Sequence, residues 1–239
     1  MGEPFKISFA SGLTAVGIEI SSYEELAQLS ANLGIRPSRP TVALIGGAGG
    51  LQGREFENLR PLFVSELAPL ADGLSANIVD GGTDAGVMGL MGEARASTHG
   101  SFNLIGVAAE GTVALPGLAN PEGQAAALNA YHTHFVFVPG SHWGDESPWL
   151  ARVAGSLADG APSVTLLVNG GETARQDVAQ SLDLNRRIIV LAGSGRLADE
   201  LASRPSLSPL ITVVDISTGT SGLRSALSAV LEGAGNGQL

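Results

Sequence analysis

The 239-residue sequence contains no cysteine and only one lysine, Lys6. The absence of cysteine excludes disulfide bonds, thiolate metal ligands and a cysteine nucleophile. A Walker A loop requires a Gly-Lys-Ser/Thr sequence, so the isolated Lys6 excludes that phosphate-binding motif as well. The amino-terminal residues do not show a basic segment followed by an apolar one, and no stretch approaches the roughly 20 uninterrupted apolar residues of a membrane helix. The sequence therefore predicts a cytoplasmic protein with no signal peptide and no membrane partner.

Positive charge is also scarce, since 13 basic residues stand against 23 acidic ones and the formal net charge is −10. A nucleic-acid-binding protein needs a positive surface that displaces counterions from phosphates, and no basic cluster is present here. Aromatic residues make up only 5% of the chain, which argues against stacking platforms for single strands. We expect no nucleic-acid partner. A small anionic ligand remains compatible, because backbone amides and two or three arginines can bind one locally.

What the sequence has is an alternation of short apolar runs with helical patterns. This order is typical of parallel βαβ units, and it predicts a Rossmann-like, doubly wound, mostly parallel sheet of about seven strands with helices on both faces. We interpret residues 1–239 as one domain and residues 1–40 as an amino-terminal extension that fits a hairpin followed by an amphipathic helix. The predicted strands are 41–45, 77–80, 103–109, 133–138, 163–168, 187–192 and 210–215, and the main helices are 54–72, from about 86, 175–184 and 221–233.

Glycine is concentrated where predicted strands end. The segment VDGGTDAGVMGLMGEA (79–94) holds five glycines in sixteen positions, and further glycine-rich turns occupy 46–53, 169–173 and 193–196. Each is either a plain strand-to-helix turn or a loop whose backbone approaches a phosphate. Ligands bind beyond the carboxyl ends of strands in open parallel sheets, where helix N-termini present free N–H groups. The candidate ligand-binding residues are Gly46, Gly47, Gly49, Gly81, Gly82, Thr83, Gly86, Gly170, Gly171, Thr173, Gly193, Ser194, Gly195 and Arg196.

The turn GSGRLA (193–198) matches the dinucleotide pattern G-x-G-x-x-A, and Asp215 ends the next strand about 20 residues later, where a ribose-binding acid is expected. Arg196 stands at the start of the following helix, a position that the helix dipole does not favour for a cation. Two explanations remain open: a bound anion near Arg196, or an ion pair with Asp199.

The segment 131–149 is rich in groups that bind metals or transfer protons. Two histidines alternate and would share one face of a strand, so a metal site is conceivable together with nearby polar residues (His132, His134, His142, Asp145 and Glu146). The simpler interpretation of GDESPW is a helix start, with Ser147 as the cap and Pro148 in the first turn. Neither G-x-S-x-G nor H-E-x-x-H occurs, so triad or zinc hydrolysis has no support. We predict no metal and no required cofactor.

Three segments, GGTDAGVMGLMGEA, HTHFVFVPG and IIVLAGSGRLADELA, together resemble the LSDAT branch of the SLOG superfamily, and LIGVAAEG fits the same pattern. That branch includes prokaryotic stand-alone proteins and the amino-terminal cytosolic region of melastatin-type TRP channels. The resemblance covers roughly residues 40–215. It implies a Rossmann-like fold that binds a nucleotide or an NAD-derived ligand such as ADP-ribose, with Gly81, Gly82 and Gly86 leaving space for a phosphate and Thr83 adding a hydroxyl donor.

The SLOG superfamily also includes the LOG phosphoribohydrolases, which release a base from a nucleoside monophosphate. Their pattern P-G-G-x-G-T-x-x-E is matched poorly by NGGETARQD (169–177), which retains Gly170 and Gly171 but not the proline, the later glycine or the glutamate. Asp177 or Glu172 could substitute for that glutamate, but we interpret neither as lying in register with it. We therefore expect a binding or sensor domain rather than an enzyme. The alternatives are an N-glycosidase with Glu110 or Glu172 as acid or base, and a structural domain with a vestigial pocket. Glu110 also fits a ribose-binding or a solvated loop acid. A homo-oligomer is expected.

Overall fold

The computed structural model describes residues 1–49, 51, 53–117, 125–204, 208–218 and 221–233. Within these residues eleven strands form a nine-stranded sheet and a separate two-stranded one. The strands are β1 (Phe5–Ser8), β2 (Thr14–Glu19), β3 (Thr41–Gly46), β4 (Asn77–Asp80), β5 (Asn103–Ala109), β6 (Val113–Ala114), β7 (Ala126–Ala127), β8 (His134–Val138), β9 (Ser163–Val168), β10 (Ile188–Ala192) and β11 (Ile211–Asp215).

The α-helices alternate with these strands along most of the chain. A π-helical turn, Phe63–Leu67, joins α2 to α3, and 3-10 turns occupy Tyr23–Gln28, Glu110–Thr112 and Ile216–Thr218. The helices are α1 (Leu29–Leu33), α2 (Arg54–Leu62), α3 (Ala68–Gly73), α4 (Gly86–Ser97), α5 (Ser147–Ala158), α6 (Glu172–Asp183), α7 (Arg196–Ala202) and α8 (Ser221–Leu231).

The strand order in the large sheet is β1-β2-β8-β5-β4-β3-β9-β10-β11. Every neighbouring pair is parallel except β1 with β2, which form an antiparallel hairpin at one edge. The predicted α/β fold is confirmed, and all seven predicted apolar strands are present. The sheet has nine strands and not about seven, because β2 pairs with β8 and adds the two strands of the hairpin. The direction of winding reverses between β3 and β9, which is the topological switch point of the sheet.

Helices cover both faces of the large sheet. On one face the apolar sides of α1, α5, α6 and α7 pack on the strands, with Leu33, Val153 and Val178 among the buried residues. On the other face α2, α3, α4 and α8 bury residues such as Leu59 and Leu227. The central strands β3, β4 and β9 are buried along nearly their whole length, because helices cover the sheet on both faces. Among the described residues no helix is long and apolar enough to cross a membrane.

Candidate functional site

A cavity of about 460 Å³ opens at the carboxyl ends of the central strands, beside the switch point between β3 and β9. Open α/β sheets bind their ligands at this place, because the loops on either side of the switch point diverge and leave a crevice. The cavity lies within the size range of small-molecule sites. Its walls are Leu44, Ile45, Gly46, Ala48, Gly49, Gly81, Thr83, Ala85, Met88, Val107, Ala108, Thr112, Ala126, Trp143, Glu146, Leu150, Gly171, Glu172, Thr173, Ala174, Asp177 and Arg196.

Three of the four predicted glycine-rich loops contribute to this cavity through glycines, and the fourth contributes Arg196. Gly50, in the first of these loops, lies outside the described residues. The predicted residues that line the cavity are Gly46, Gly49, Gly81, Thr83, Gly171, Glu172, Thr173 and Arg196. Those that do not line it are Gly47, Gly82, Gly86, Gly170, Gly193, Ser194, Gly195 and Glu110.

Two glycines of the 81–86 loop are required by packing. Gly86 has a φ of +51°, and a Cβ there would overlap the carbonyl oxygen of Gly47, to which the next amide, that of Val87, donates a hydrogen bond. Gly82 has a φ of +72°, and a Cβ would lie 2.9 Å from the Cα of Gly106. These two positions hold the loop against neighbouring backbone, so the hypothesis that they clear space for a phosphate is not needed to explain them.

The 193–196 turn is tied to the 169–171 turn through Ser194 and Asn169. The Asn169 amide N–H donates to Ser194 Oγ at 2.7 Å, and Asn169 Nδ2 donates to the Ser194 carbonyl at 2.8 Å. Ser194 is buried and therefore braces the two loops against each other. Of the dinucleotide-like turn only Arg196 lines the cavity. Asp215, the expected ribose acid, accepts the Ser217 amide instead at 2.7 Å.

Arg196 is the cation of the cavity. Its side chain lies beside Gly171 at the N-terminus of α6, where a Cβ on that glycine would be 2.8 Å from Arg196 Nη2. Asp199 does not pair with it within the described structure, because Asp199 accepts the Gly193 amide at 2.6 Å. Of the two explanations for Arg196, the ion pair with Asp199 is therefore not found. At this position an anionic group would contact both the guanidinium charge and the backbone amides at the N-terminus of α6.

Two carboxyl groups lie deep in the cavity, one from α6 and one at the start of α5. Asp177 and Glu146 each expose 8% of their surface. Burial raises the pKa of Asp177 to about 7; the nearby Ser147 hydroxyl acts in the opposite direction, and the charge of Glu146 raises the pKa further. Burial also raises the pKa of Glu146. Asp177 Oδ1 and Ser147 Oγ are buried without a hydrogen-bond partner among the described residues.

The expected cap of α5 is wrong by one residue. Glu146, not Ser147, is the N-cap, while Pro148 lies in the first turn as predicted. The shift arises because the Glu146 side chain turns back to accept the Gly144 amide at 2.9 Å. Ser147 becomes the first helical residue, and its buried hydroxyl faces the neighbourhood of Asp177 instead of capping the helix.

Much of the remaining wall of the cavity is apolar. Leu44, Met88, Val107 and Leu150 form much of its wall, and Trp143 stands at its edge with 54% of its surface exposed. An exposed tryptophan beside an apolar cavity offers a flat surface on which a planar ring can stack. The cavity thus combines a cationic end at Arg196 with an aromatic and apolar wall and a buried acidic pair.

Neither residue proposed as a catalytic acid lies deep in the site. Glu110 begins a 3-10 turn after β5, is exposed and does not line the cavity. Glu172 lines the cavity, but its side chain is 79% exposed and pairs with Arg175 at 3.5 Å.

The histidines of segment 131–149 do not share one face of a strand. His132 precedes β8 and its Nε2 lies 2.8 Å from Asp80 Oδ1, with both side chains fully buried. His134 Nδ1 contacts Thr133 Oγ1 at 2.8 Å, and burial lowers the pKa of His134 to about 4. Asp145 accepts the amides of Ser141 and His142. The described residues contain no group of three or more such side chains that could hold a metal.

The family model described as SLOG in TRPM, prokaryote (LSDAT_prok), matches residues 39–225, which is most of the chain. The chain belongs to this family. Among curated relatives of this LSDAT chain, transient receptor potential cation channel subfamily M member 2 of Mus musculus is 26% identical over 200 residues, covering 69% of the chain and 13% of the channel. Subfamily M member 1 of Mus musculus is 28% identical over 191 residues, covering 66% of the chain and 12% of that channel. The LSDAT chain therefore spans about an eighth of these relatives.

Solved structures share the fold of the LSDAT chain. The X-ray structure of TM1055, a structural genomics target, superposes with a TM-score of 0.54 at 16% identity, covering 80% of the chain and 99% of that protein. The molybdenum cofactor carrier protein of Chlamydomonas reinhardtii gives a TM-score of 0.56 at 16% identity, covering 81% and 99%. At identities this low, the superpositions establish a common architecture of the sheet and its helices and nothing more.

Sequence reasoning named Asp177 as a possible substitute for the glutamate of the LOG pattern but wrongly judged it to be out of register, and it missed Trp143. Asp177 stands at the ninth position of NGGETARQD, which is the position of the final glutamate in P-G-G-x-G-T-x-x-E. Counting along that pattern places Asp177, and not Glu172 or Glu110, at the position of the glutamate. For Trp143 the sequence holds no equivalent signal, because its place at the cavity depends on how the β8–α5 loop folds over the sheet.

Proposed function

We propose that this LSDAT chain is a cytosolic binding domain for a nucleotide or an ADP-ribose-like ligand, which occupies the cavity at the switch point. The observation that carries the proposal is Arg196, which has no ion-pair partner among the described residues and lies beside the N-terminus of α6, in a cavity with a largely apolar wall. A phosphate group suits this end, because it would accept from the guanidinium fork and from amides such as that of Thr173.

The aromatic and apolar part of the wall suits the base and ribose of such a ligand, just as the cationic end suits its phosphate. Trp143 provides a stacking surface for a planar base, and Leu150 and Met88 provide apolar contact. The raised pKa of Asp177, about 7, means that this group holds a proton in part of the molecules at neutral pH. Protonated Asp177 can donate a hydrogen bond to a base nitrogen or a ribose oxygen, which its ionised form cannot do.

Calorimetry with AMP, NAD and ADP-ribose tests the proposal, and Arg196→Ala is the decisive variant. We expect it to weaken binding more than tenfold, about 1.4 kcal/mol or more, with little change in ligand-free stability. Arg204→Ala is the matched control, because it also removes one exposed arginine but from a pair with Glu200 outside the cavity. Equal affinities for the Arg196 variant and the parent would refute the proposal.

A second candidate, cleavage of an N-glycosidic bond, is favoured by one observation: Asp177 is a buried acid with a pKa of about 7 inside the cavity. Such a group can protonate a departing base as its glycosidic bond to the ribose breaks, or accept a proton from attacking water. We expect no release of base or nicotinamide from AMP, NAD or ADP-ribose, measured by chromatography. Release that is lost in Asp177→Asn but kept in Glu110→Gln would establish the hydrolase instead.

A further inference from the structure

A second cleft, of about 450 Å³, lies at the opposite end of the sheet from the main cavity. Ser163, the first residue of β9, and Arg186, two residues before β10, belong to it, so it opens at the amino ends of the strands. Its walls are Leu26, Ala151, Arg152, Gly155, Ser163, Leu184 and Arg186. Two of these seven residues are arginines and none is acidic. This is unexpected in a chain with only 13 basic residues and a net charge of −10.

Arg186 is a buried guanidinium without an anionic partner. Only 9% of its surface is exposed, and no described acidic side chain forms an ion pair with it. Its Nη2 donates to the Ala151 carbonyl at 2.8 Å, its Nη1 donates to Ser163 Oγ, and its Nε has no partner within the described structure. Burial lowers the pKa of Arg186 to about 10, and no neighbouring charge opposes that effect. A buried charge is normally paired, because its desolvation is costly.

Arg152 brings a second guanidinium to the same cleft. Its Nη1 donates to the Pro148 carbonyl at 2.7 Å and to Gln180 Oε1 at 3.2 Å, and its Cζ stacks 4.6 Å from the centre of the Tyr23 ring. All of these partners are uncharged, so they hold the Arg152 side chain in place and leave its positive charge without a counter-charge among them. Two held guanidiniums, each with N–H groups that have no partner among the described residues, thus line one cleft. Guanidinium groups are well suited to bind the oxygens of a tetrahedral oxyanion.

The surroundings hold this arrangement in place. Ser163 Oγ donates to the Thr41 carbonyl at 3.0 Å, so its oxygen is directed to receive the Arg186 donor. Gly155 lies on α5 opposite that guanidinium, where a Cβ would be 3.3 Å from Arg186 Nη2. Any larger side chain would occupy space in front of Nη2. Leu26 and Leu184 add an apolar rim that suits the organic part of an ester.

We propose that the Arg152–Arg186 cleft is a second anion site, which binds inorganic phosphate or the phosphate group of a small monoester. The site is separate from the main cavity and does not depend on the nucleotide proposal. A phosphate dianion would balance the charge of the two arginines and accept from N–H groups that have no partner in the described part of the chain.

Nuclear magnetic resonance of the arginine Nε–Hε groups tests the site in the full chain, with inorganic phosphate and phenyl phosphate as probes at constant ionic strength. The parent protein for this test carries Arg196→Ala, which removes the cation of the main cavity. We expect saturable shifts of the Arg152 and Arg186 resonances. Tighter binding of phenyl phosphate would identify a monoester, and equal or tighter binding of inorganic phosphate would identify the free ion.

Two variants in the same background complete the test. Arg186→Met replaces the buried charge with an apolar chain of similar length, and Arg152→Gln acts on the half-buried partner, where the change is less able to disturb folding. Each should weaken phosphate binding more than tenfold. Absence of saturable shifts, equal shifts with sodium chloride, or unchanged affinity in Arg152→Gln would overturn the proposal. These results leave nucleotide binding through Arg196 unaffected, so the two proposals fail separately.

Discussion

Replacing Asp177 by Asn should change how the stability of the protein depends on pH. The pKa of Asp177 is raised from 3.8 to about 7, because the carboxyl is buried at the base of the cavity. Between about pH 4 and pH 7 the folded protein keeps this proton, whereas the unfolded chain releases it. Stability therefore falls as pH rises through this range, and the part that Asp177 contributes is fully retained only below the unfolded-state pKa.

The size of the effect follows from the shift. A difference of about three pKa units at 1.36 kcal/mol each corresponds to roughly 4 kcal/mol above pH 7. Asn has nearly the same shape and carries no charge at any of these pH values. The Asp177→Asn protein should consequently equal the parent at pH 4 and exceed it by up to about 4 kcal/mol at pH 8.

Urea denaturation at pH 4, 5, 6, 7 and 8 measures the free energy of unfolding of both proteins. The matched control is Asp183→Asn, which removes an exposed carboxylate at the end of the same helix and should leave the slope with pH unchanged between pH 5 and 8. Parallel stability curves for the parent and Asp177→Asn would refute the reasoning, since they would show that Asp177 titrates alike in the folded and unfolded states.

Three further predictions follow from contacts described above. Gly86→Ala should lower the free energy of unfolding by at least about 2 kcal/mol in urea titrations, while Gly49→Ala, in open space, should be nearly neutral. Trp143→Ala should weaken binding of an aromatic nucleotide by roughly 1–3 kcal/mol in calorimetry and leave stability unchanged; intact affinity would exclude stacking. His132→Ala should cost about 3 kcal/mol or more, because it removes the side-chain partner of the buried Asp80 carboxyl and leaves it only the Gly82 amide among the described residues; an unchanged melting temperature would contradict this.

The fold could be predicted from sequence because its strands carry local signals. A strand that is buried on both faces, such as 163–168, is rich in apolar residues, and this pattern can be recognised without knowing which strands are its neighbours. The order of strands in the sheet carries no such signal. It depends on the chain crossing from β8 back over the sheet to β9, on the far side of β3, which tertiary packing decides. The hairpin of residues 5–19 was foreseen, but its pairing with β8 was not.

The candidate site was predictable only in part for a related reason. Glycine-rich turns mark the ends of strands, so the sequence could identify the loops around Gly46, Gly81 and Gly171 as parts of the site. Whether a particular glycine faces the cavity or a neighbouring backbone is decided by packing, as Gly86 shows. The acidity of Asp177 arises from burial between α5 and α6, two helices that are separate in sequence, so only the assembled structure reveals it.

The only lysine of the sequence lies on β1, at the edge of the large sheet. Lys6 is exposed there and discourages the addition of a foreign strand to that edge. Five strand-to-strand steps separate β1 from β3, which at about 4.8 Å per step is roughly 24 Å. Lys6 is the only side-chain amine, so amine-directed coupling that spares the N-terminal amine would attach the protein to a surface or a dye at one defined side chain, on the far side of the sheet from β10 and Arg196.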